Sequence, residues 1–154
     1  MNKSERIRHQ LEIAYRGPAW HGPSLLENLD GVSASTAAAY PIATAHSIWE
    51  TVNHIAAWIK AANRMIERNQ YISLQGEEDW PPVDDTSETA WNRTIADLDR
   101  AHQDLSTVIE KLPENQLGKM IPGRDYTFYV VLHGLVQHNV YHTGQIGLLR
   151  KSAR

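Results

Sequence analysis

The segment LHGLVQHNVYHTGQIGLL, residues 132–149, decides the fold of this chain. Together with Phe128, one turn before it, the apolar residues of this segment have the spacing of a single helix face: Phe128, Leu132, Leu135, Ile146 and Leu149. Steps of three and four residues are typical of a helix that buries one side. The segment therefore predicts an amphipathic helix that packs into a core.

The same segment carries two histidines, His138 and His142, four residues apart. Side chains four positions apart leave a helix on the same face, one turn apart. They fall on or beside the buried stripe, where an imidazole needs polar partners. A shared cation is one solution and hydrogen-bonded structure is the other, and the pair alone leaves both open. A zinc-protease helix is excluded because Asn139 stands where that motif has glutamate.

Composition narrows the class of protein. A chain of 154 residues with a formal charge of -3 fits one domain, residues 1–154, without the basic surface that nucleic-acid binding needs. No apolar run approaches the ~18 residues of a membrane span, and the first residues lack a signal-peptide pattern. We therefore expect a cytoplasmic protein. The chain has no cysteine, so any metal ligands must be histidine, carboxylate or water.

Three further helices are predicted from the same periodicity. A short N-terminal helix starts near Ser4 and ends at Gly17. A second, long helix spans residues 44–69, and its stripe is Ile48, Val52, Ile55, Ile59, Ala62 and Ile66. A third opens at a capping box formed by Asp85 and Glu88 and stops before Pro113. The last helix starts at Asp125 or Thr127.

These elements predict an all-α four-helix bundle with a short N-terminal helix and a long connection between helices two and three. That connection, residues 71–84, is long enough to run along the bundle. Its acidic cluster, residues 77–79, is interpreted as a solvated loop. In the segment 17–32 one short helical turn is expected at residues 24–28, and Trp20 is expected to pack onto the core rather than to close over the bundle end.

Single residues on the long helices give further expectations. His102 is interpreted as structural and turned towards the surface. Gly134, Gly144 and Gly147 each cost about 1 kcal/mol of helix propensity relative to alanine. Such a cost suggests close approach by another backbone or by a ligand.

His54 on helix two can join His138 and His142 if the two helices are neighbours, because all three then lie near the middle of the bundle. In isolation His54 would be interpreted as an ordinary boundary residue. His46 lies about 12 Å further along the axis at ~1.5 Å per residue, so it is better interpreted as a helix-entry residue. His133 points about 180° away from His142 at ~100° per residue. Three imidazoles completed by water would form an open site for zinc, nickel or iron.

Two segments, HSIWETVNHIAAW (46–58) and HGLVQHNVYHTGQIGLLRK (133–151), resemble the DinB-like or YfiT-like family. GPAWHGPSL (17–25) is similar to a loop in one branch of that family. The resemblance implies a four-helix bundle with a divalent metal on three histidines, which map onto His54, His138 and His142. Some members are thiol S-transferases that use bacillithiol or mycothiol, one is a thiol-dependent isomerase, and many have no known reaction.

Three neighbours of these histidines are candidates for supporting roles. Gln145 could hold an imidazole or a bound water. Trp58 could form a wall of the site, and an ordinary core residue is an equally good interpretation. Tyr141 is mostly packing, with a general acid as its alternative. No acidic residue stands beside the ligands as an obvious base, which disfavours hydrolysis slightly.

The leading hypothesis is a metal-dependent enzyme that transfers a low-molecular-weight thiol to a small-molecule electrophile. The alternatives are a metal-dependent hydrolase and a non-catalytic metal- or ligand-binding stress protein. A homodimer is expected in any of these cases, and a DNA-binding role is disfavoured by the acidic charge.

Overall fold

The structure, a computed structural model, describes residues 1–153 and contains no β-strand in that range. The predicted all-α class is therefore confirmed. Seven α-helices follow in chain order: α1 (Lys3–Arg16), α2 (Leu25–Leu29), α3 (Ala34–Ala38), α4 (Ile48–Arg68), α5 (Glu88–Lys111), α6 (Glu114–Leu117) and α7 (Phe128–Ser152). The helices α1, α4, α5 and α7 form the bundle, and no helix within residues 1–153 is long and apolar enough to cross a membrane.

Capping side chains set where the long helices begin. The Ser47 hydroxyl accepts the Glu50 N–H, and the Glu50 carboxylate accepts the Ser47 N–H. Helix α4 therefore starts at Ile48, a few residues after the predicted start, because this reciprocal cap satisfies two backbone donors. The helix ends at Arg68, and the C-cap residue Asn69 adopts a left-handed conformation with φ 50°.

The predicted capping box of α5 is wrong. Ser87 is the N-cap, and its hydroxyl accepts the Ala90 N–H. The Asp85 carboxylate accepts the Ser87 N–H instead, while Glu88 reaches across to the N–H of Ala34. The Glu88 carboxylate is therefore used in a long-range contact to α3 and not in the local cap that the sequence pattern predicted.

Helix directions follow from the contacts between neighbours. Helix α4 packs against α5 and α7, and α1 packs against the same two helices. The Trp49 indole, at the start of α4, donates to Thr94 near the start of α5, so these two helices run parallel. A parallel pair requires residues 69–87 to return along the whole length of the bundle, and this return brings the connection past the middle of α4.

The core contains every residue of the predicted α4 stripe: Ile48, Val52, Ile55, Ile59, Ala62 and Ile66. The expectation for Trp20 is wrong, because its side chain is fully exposed. It lies in a tight turn closed by a bridge between Ala19 and Gly22, which leaves the indole outside the bundle. The predicted short turn after Ser24 is present as α2.

The glycines of α7 differ from one another. A Cβ at Gly147 would lie 3.1 Å from the Asn28 side-chain oxygen, so a neighbour does approach closely there. A Cβ at Gly134 or Gly144 would meet nothing within 4 Å. The expected close approach by protein is therefore wrong at these two positions.

Candidate metal centre

Three imidazoles from two antiparallel helices meet in the middle of the bundle. His54 comes from α4, and His138 and His142 come from successive turns of α7. The Nε2 atoms of His54 and His138 are 2.9 Å apart. One ring nitrogen from each of the three residues lies within 4.8 Å of the others. The three histidines predicted as metal ligands are thus neighbours in space.

The other ring nitrogen of each imidazole faces an oxygen. The Nδ1 of His54 lies 2.7 Å from the Asp79 carbonyl oxygen and 3.1 Å from its carboxylate. The Nδ1 of His142 lies 2.6 Å from Gln145 Oε1. A longer contact of 3.4 Å joins His138 Nδ1 to the side-chain oxygen of Asn139, the residue after it. Since these oxygens accept, the protons belong on Nδ1 and the Nε2 lone pairs face inward.

Burial favours the neutral form of the two imidazoles on α7. Burial, together with the smaller effect of the nearby His142, lowers the pKa of His138 to about 4. Burial also lowers the pKa of His142. Neutral rings with Nδ1 protonated would place two lone pairs against each other at the 2.9 Å contact. A cation resolves that repulsion, so the donor set fits a divalent ion that accepts imidazole ligands.

The connection between α4 and α5 contributes Asp79 and Trp80 to this site. Besides contacting His54, the Asp79 carboxylate accepts the indole N–H of Trp58 at 2.7 Å. The Trp80 ring stacks between His46 and His54, with centroid separations of 3.6 and 3.9 Å. Carboxylate and aromatic partners of this kind fix the orientation of a ligating imidazole.

Asp79 corrects two expectations from the sequence. The acidic cluster is solvated at Glu77 and Glu78, which are exposed, but Asp79 is half-buried against His54. An acidic residue therefore does stand beside one of the candidate ligands, although 25 residues away in sequence. The length of the connection predicted that it would run along the bundle, yet nothing local indicated which residue would face His54.

The predicted supporting residues have different surroundings. Gln145 holds His142 through its oxygen, and its amide donates to the Tyr141 hydroxyl at 3.1 Å. Tyr141 is 64% exposed, so the interpretation as packing is wrong for most of its ring. Trp58 meets His138 edge to face, as a wall of the site would.

His46, His133 and His102 lie outside the cluster. His46 precedes the α4 cap and pairs with Glu50. His133 is exposed and stacks on Tyr129. His102 is buried rather than turned to the surface, and its Nε2 lies 2.7 Å from a Glu12 carboxylate oxygen.

A cavity of about 300 Å³ opens beside His138, between the end of α4 and the start of α7. Its walls are mainly apolar and include Trp58, Met65, Tyr126 and Leu135. The site therefore borders space that a small molecule can enter, rather than being closed on all sides by protein.

A family model described as the DinB superfamily matches residues 20–146. The match includes all three histidines and covers most of the chain, so the protein belongs to the DinB superfamily. No curated protein and no solved structure shows significant similarity to the chain. The family thus agrees with the helical fold and with a histidine triad that could hold a metal ion.

Proposed function

We propose that this protein is a divalent-metal-dependent enzyme that transfers a low-molecular-weight thiol to a small electrophile. His54, His138 and His142 would hold the ion. The observation that supports this most directly is the convergence of the three imidazole nitrogens, with oxygens fixing the opposite nitrogen of each ring. Zinc, nickel and iron all accept such ligands.

Three neutral ligands suit thiol chemistry. A divalent ion on uncharged imidazoles keeps its positive charge and, when bound, would lower the pKa of a thiol beside it. The reaction joins the thiolate sulfur to the electrophilic carbon, while the leaving group departs with its electron pair and the thiol proton passes to solvent. The protein needs no nucleophile of its own, which is consistent with the absence of cysteine.

The protein side chains would orient and shield the reactants. Asp79 and Gln145 hold two of the rings by their Nδ1 protons. Trp80 covers one face of His54 and Trp58 borders His138, so both exclude water from the ligands. The N–H donors of His54 and Trp58 both contact Asp79 Oδ1, so this carboxylate acts to orient the two rings.

The test is metal analysis followed by assay. Protein purified without chelator or affinity tag should carry about one divalent ion per chain, and His54→Ala should carry none. Metal-loaded wild type should accelerate conjugation of bacillithiol or mycothiol to an alkyl halide, and His54→Ala should not. A fully loaded protein that leaves both thiols at the uncatalysed rate, or that instead hydrolyses 4-nitrophenyl acetate, would contradict the transferase proposal.

A further inference from the structure

The cavity beside His138 shares that histidine with the candidate metal centre. At about 300 Å³ it has roughly twice the size of a ~150 Å³ apolar cavity that holds benzene. A group of one or two rings would fit. Its walls are mainly apolar, and the Trp58 indole N–H already donates to Asp79. A polar molecule placed there would therefore lose hydrogen bonds to water without replacing them, at a cost of about 1–3 kcal/mol per group.

Gly134 forms part of the cavity wall in the interior of α7. Glycine in a helix interior costs about 1 kcal/mol relative to alanine. No neighbouring atom requires the glycine, because a Cβ there would meet nothing within 4 Å. The missing side chain instead adds to the open volume next to His138.

We infer that this cavity binds the apolar body of the electrophile, an aromatic or branched aliphatic group, and directs its reactive carbon towards the histidine triad. The inference rests on the proposed function. The cavity does not suit the thiol partner, because sugar- or peptide-based thiols carry several polar groups and these walls offer few partners for them. Apolar burial at ~25 cal/mol per Å² would instead favour a hydrocarbon surface.

Methionine methyl NMR can locate such a ligand. The chain has three methionines. Met65 lines the cavity, whereas Met1 and Met120 are exposed, do not line it and serve as internal controls. The probe is 4-nitrobenzyl alcohol, an uncharged aromatic whose hydroxyl is too poor a leaving group for transfer. We expect its ring current to shift the ¹³C-methyl signal of Met65 saturably and to leave the other two signals unchanged.

Two matched glycine variants test the position. Gly134→Leu should fill the cavity and weaken probe binding at least tenfold. Gly144→Leu makes the same change in the same helix, where a Cβ also has free space but no contact with the cavity, and should leave binding unchanged. Gly134→Ala, a smaller change, should weaken binding less and keeps the test valid if the leucine variant fails to fold.

The outcome separates the two proposals. Saturable binding at Met65 in protein that carries no metal would support the cavity inference even if the metal centre fails. Conversely, one ion per chain with an unchanged Met65 signal at saturating probe would overturn the cavity inference alone. Equal weakening by Gly134→Leu and Gly144→Leu would also overturn it, because the effect would then not belong to the cavity.

Discussion

Two buried histidine sites in this bundle satisfy their polar groups in different ways. His102 and His54 are almost equally inaccessible, at 3% and 5% exposure. His102 stacks on Tyr15 with a centroid separation of 4.0 Å, and its Nε2 contacts the Glu12 carboxylate. His54 turns its Nε2 towards another imidazole nitrogen. Burial therefore does not distinguish a candidate ligand from a structural histidine. The partner of Nε2 does, because it is a carboxylate for His102 and another imidazole nitrogen for His54.

The comparison predicts opposite effects of removing one imidazole from each site. In the triad, His142→Ala should lower the affinity for zinc by more than about 100-fold, since ligand contacts supply most of a site's binding free energy. His102→Ala should leave zinc affinity within about twofold, because His102 lies outside the cluster. Isothermal titration with zinc measures both. Equal loss of affinity in the two variants would contradict the distinction.

The order of the two variants should be reversed for stability, with His102→Ala losing more unfolding free energy than His142→Ala. His102→Ala removes a buried ring and its contact with Glu12, so we expect the metal-free protein to lose about 2–3 kcal/mol of unfolding free energy. His142→Ala should reduce the unfolding free energy of the metal-free protein by less, because it removes one of three ring nitrogens that lie within 4.8 Å of one another. Urea denaturation of chelator-treated samples gives both values. A larger loss for His142→Ala would show that the triad is also a structural element.

Asp79 extends the comparison to the groups that hold the ligands. Asp79→Asn keeps the size of the side chain but removes the charge that faces His54 Nδ1, so we expect zinc affinity to fall about 10- to 100-fold. The matched control is Glu78→Gln, which neutralises the exposed neighbouring carboxylate and should change affinity less than about twofold. Similar losses in both variants would mean that general charge, rather than contact with His54, governs binding.

The sequence predicted the bundle because helical periodicity is a local property. The stripe on α4 from Ile48 to Ile66 and the spacing of His138 and His142 are each visible within one helix. The triad required one further assumption, that α4 and α7 are neighbours, and the resemblance to the family supported it. The family match and the fold agree with that part of the interpretation.

The residues that were missed depend on contacts between distant segments. Asp79 and Trp80 reach His54 only because the connection returns along a parallel pair of helices, and no periodic signal encodes that path. His102 was misplaced for a similar reason, since Glu12 and Tyr15 lie on another helix and provide the partners for its burial. Trp20 shows the opposite error, because a large apolar side chain does not have to be buried.

The pH dependence of stability tests the structural site independently of the metal. Burial lowers the pKa of His102 below 6.5, and this effect outweighs the contact with Glu12, which raises it. The His102 imidazole therefore binds a proton more readily in the unfolded chain than in the folded one. Its contribution to stability is fully present above about pH 6.5 and falls as the pH is lowered. We expect metal-free His102→Gln to lose less stability than wild type between pH 7 and 5. A steeper loss in the variant would contradict the assignment.

The smallest effect is expected at Tyr141, whose hydroxyl only accepts a hydrogen bond from the Gln145 amide. Tyr141→Phe keeps the ring against His142 and leaves Gln145 Oε1 free to hold His142 Nδ1. Since the residue is largely exposed, stability should change by no more than about 0.5 kcal/mol and thiol-transfer activity by less than about threefold. Tyr129→Phe, a partly exposed tyrosine on the same helix, is the control. A 100-fold lower kcat with full metal content, seen only in Tyr141→Phe, would instead make the phenol a proton donor, and Gln145 would then position that phenol as well as His142.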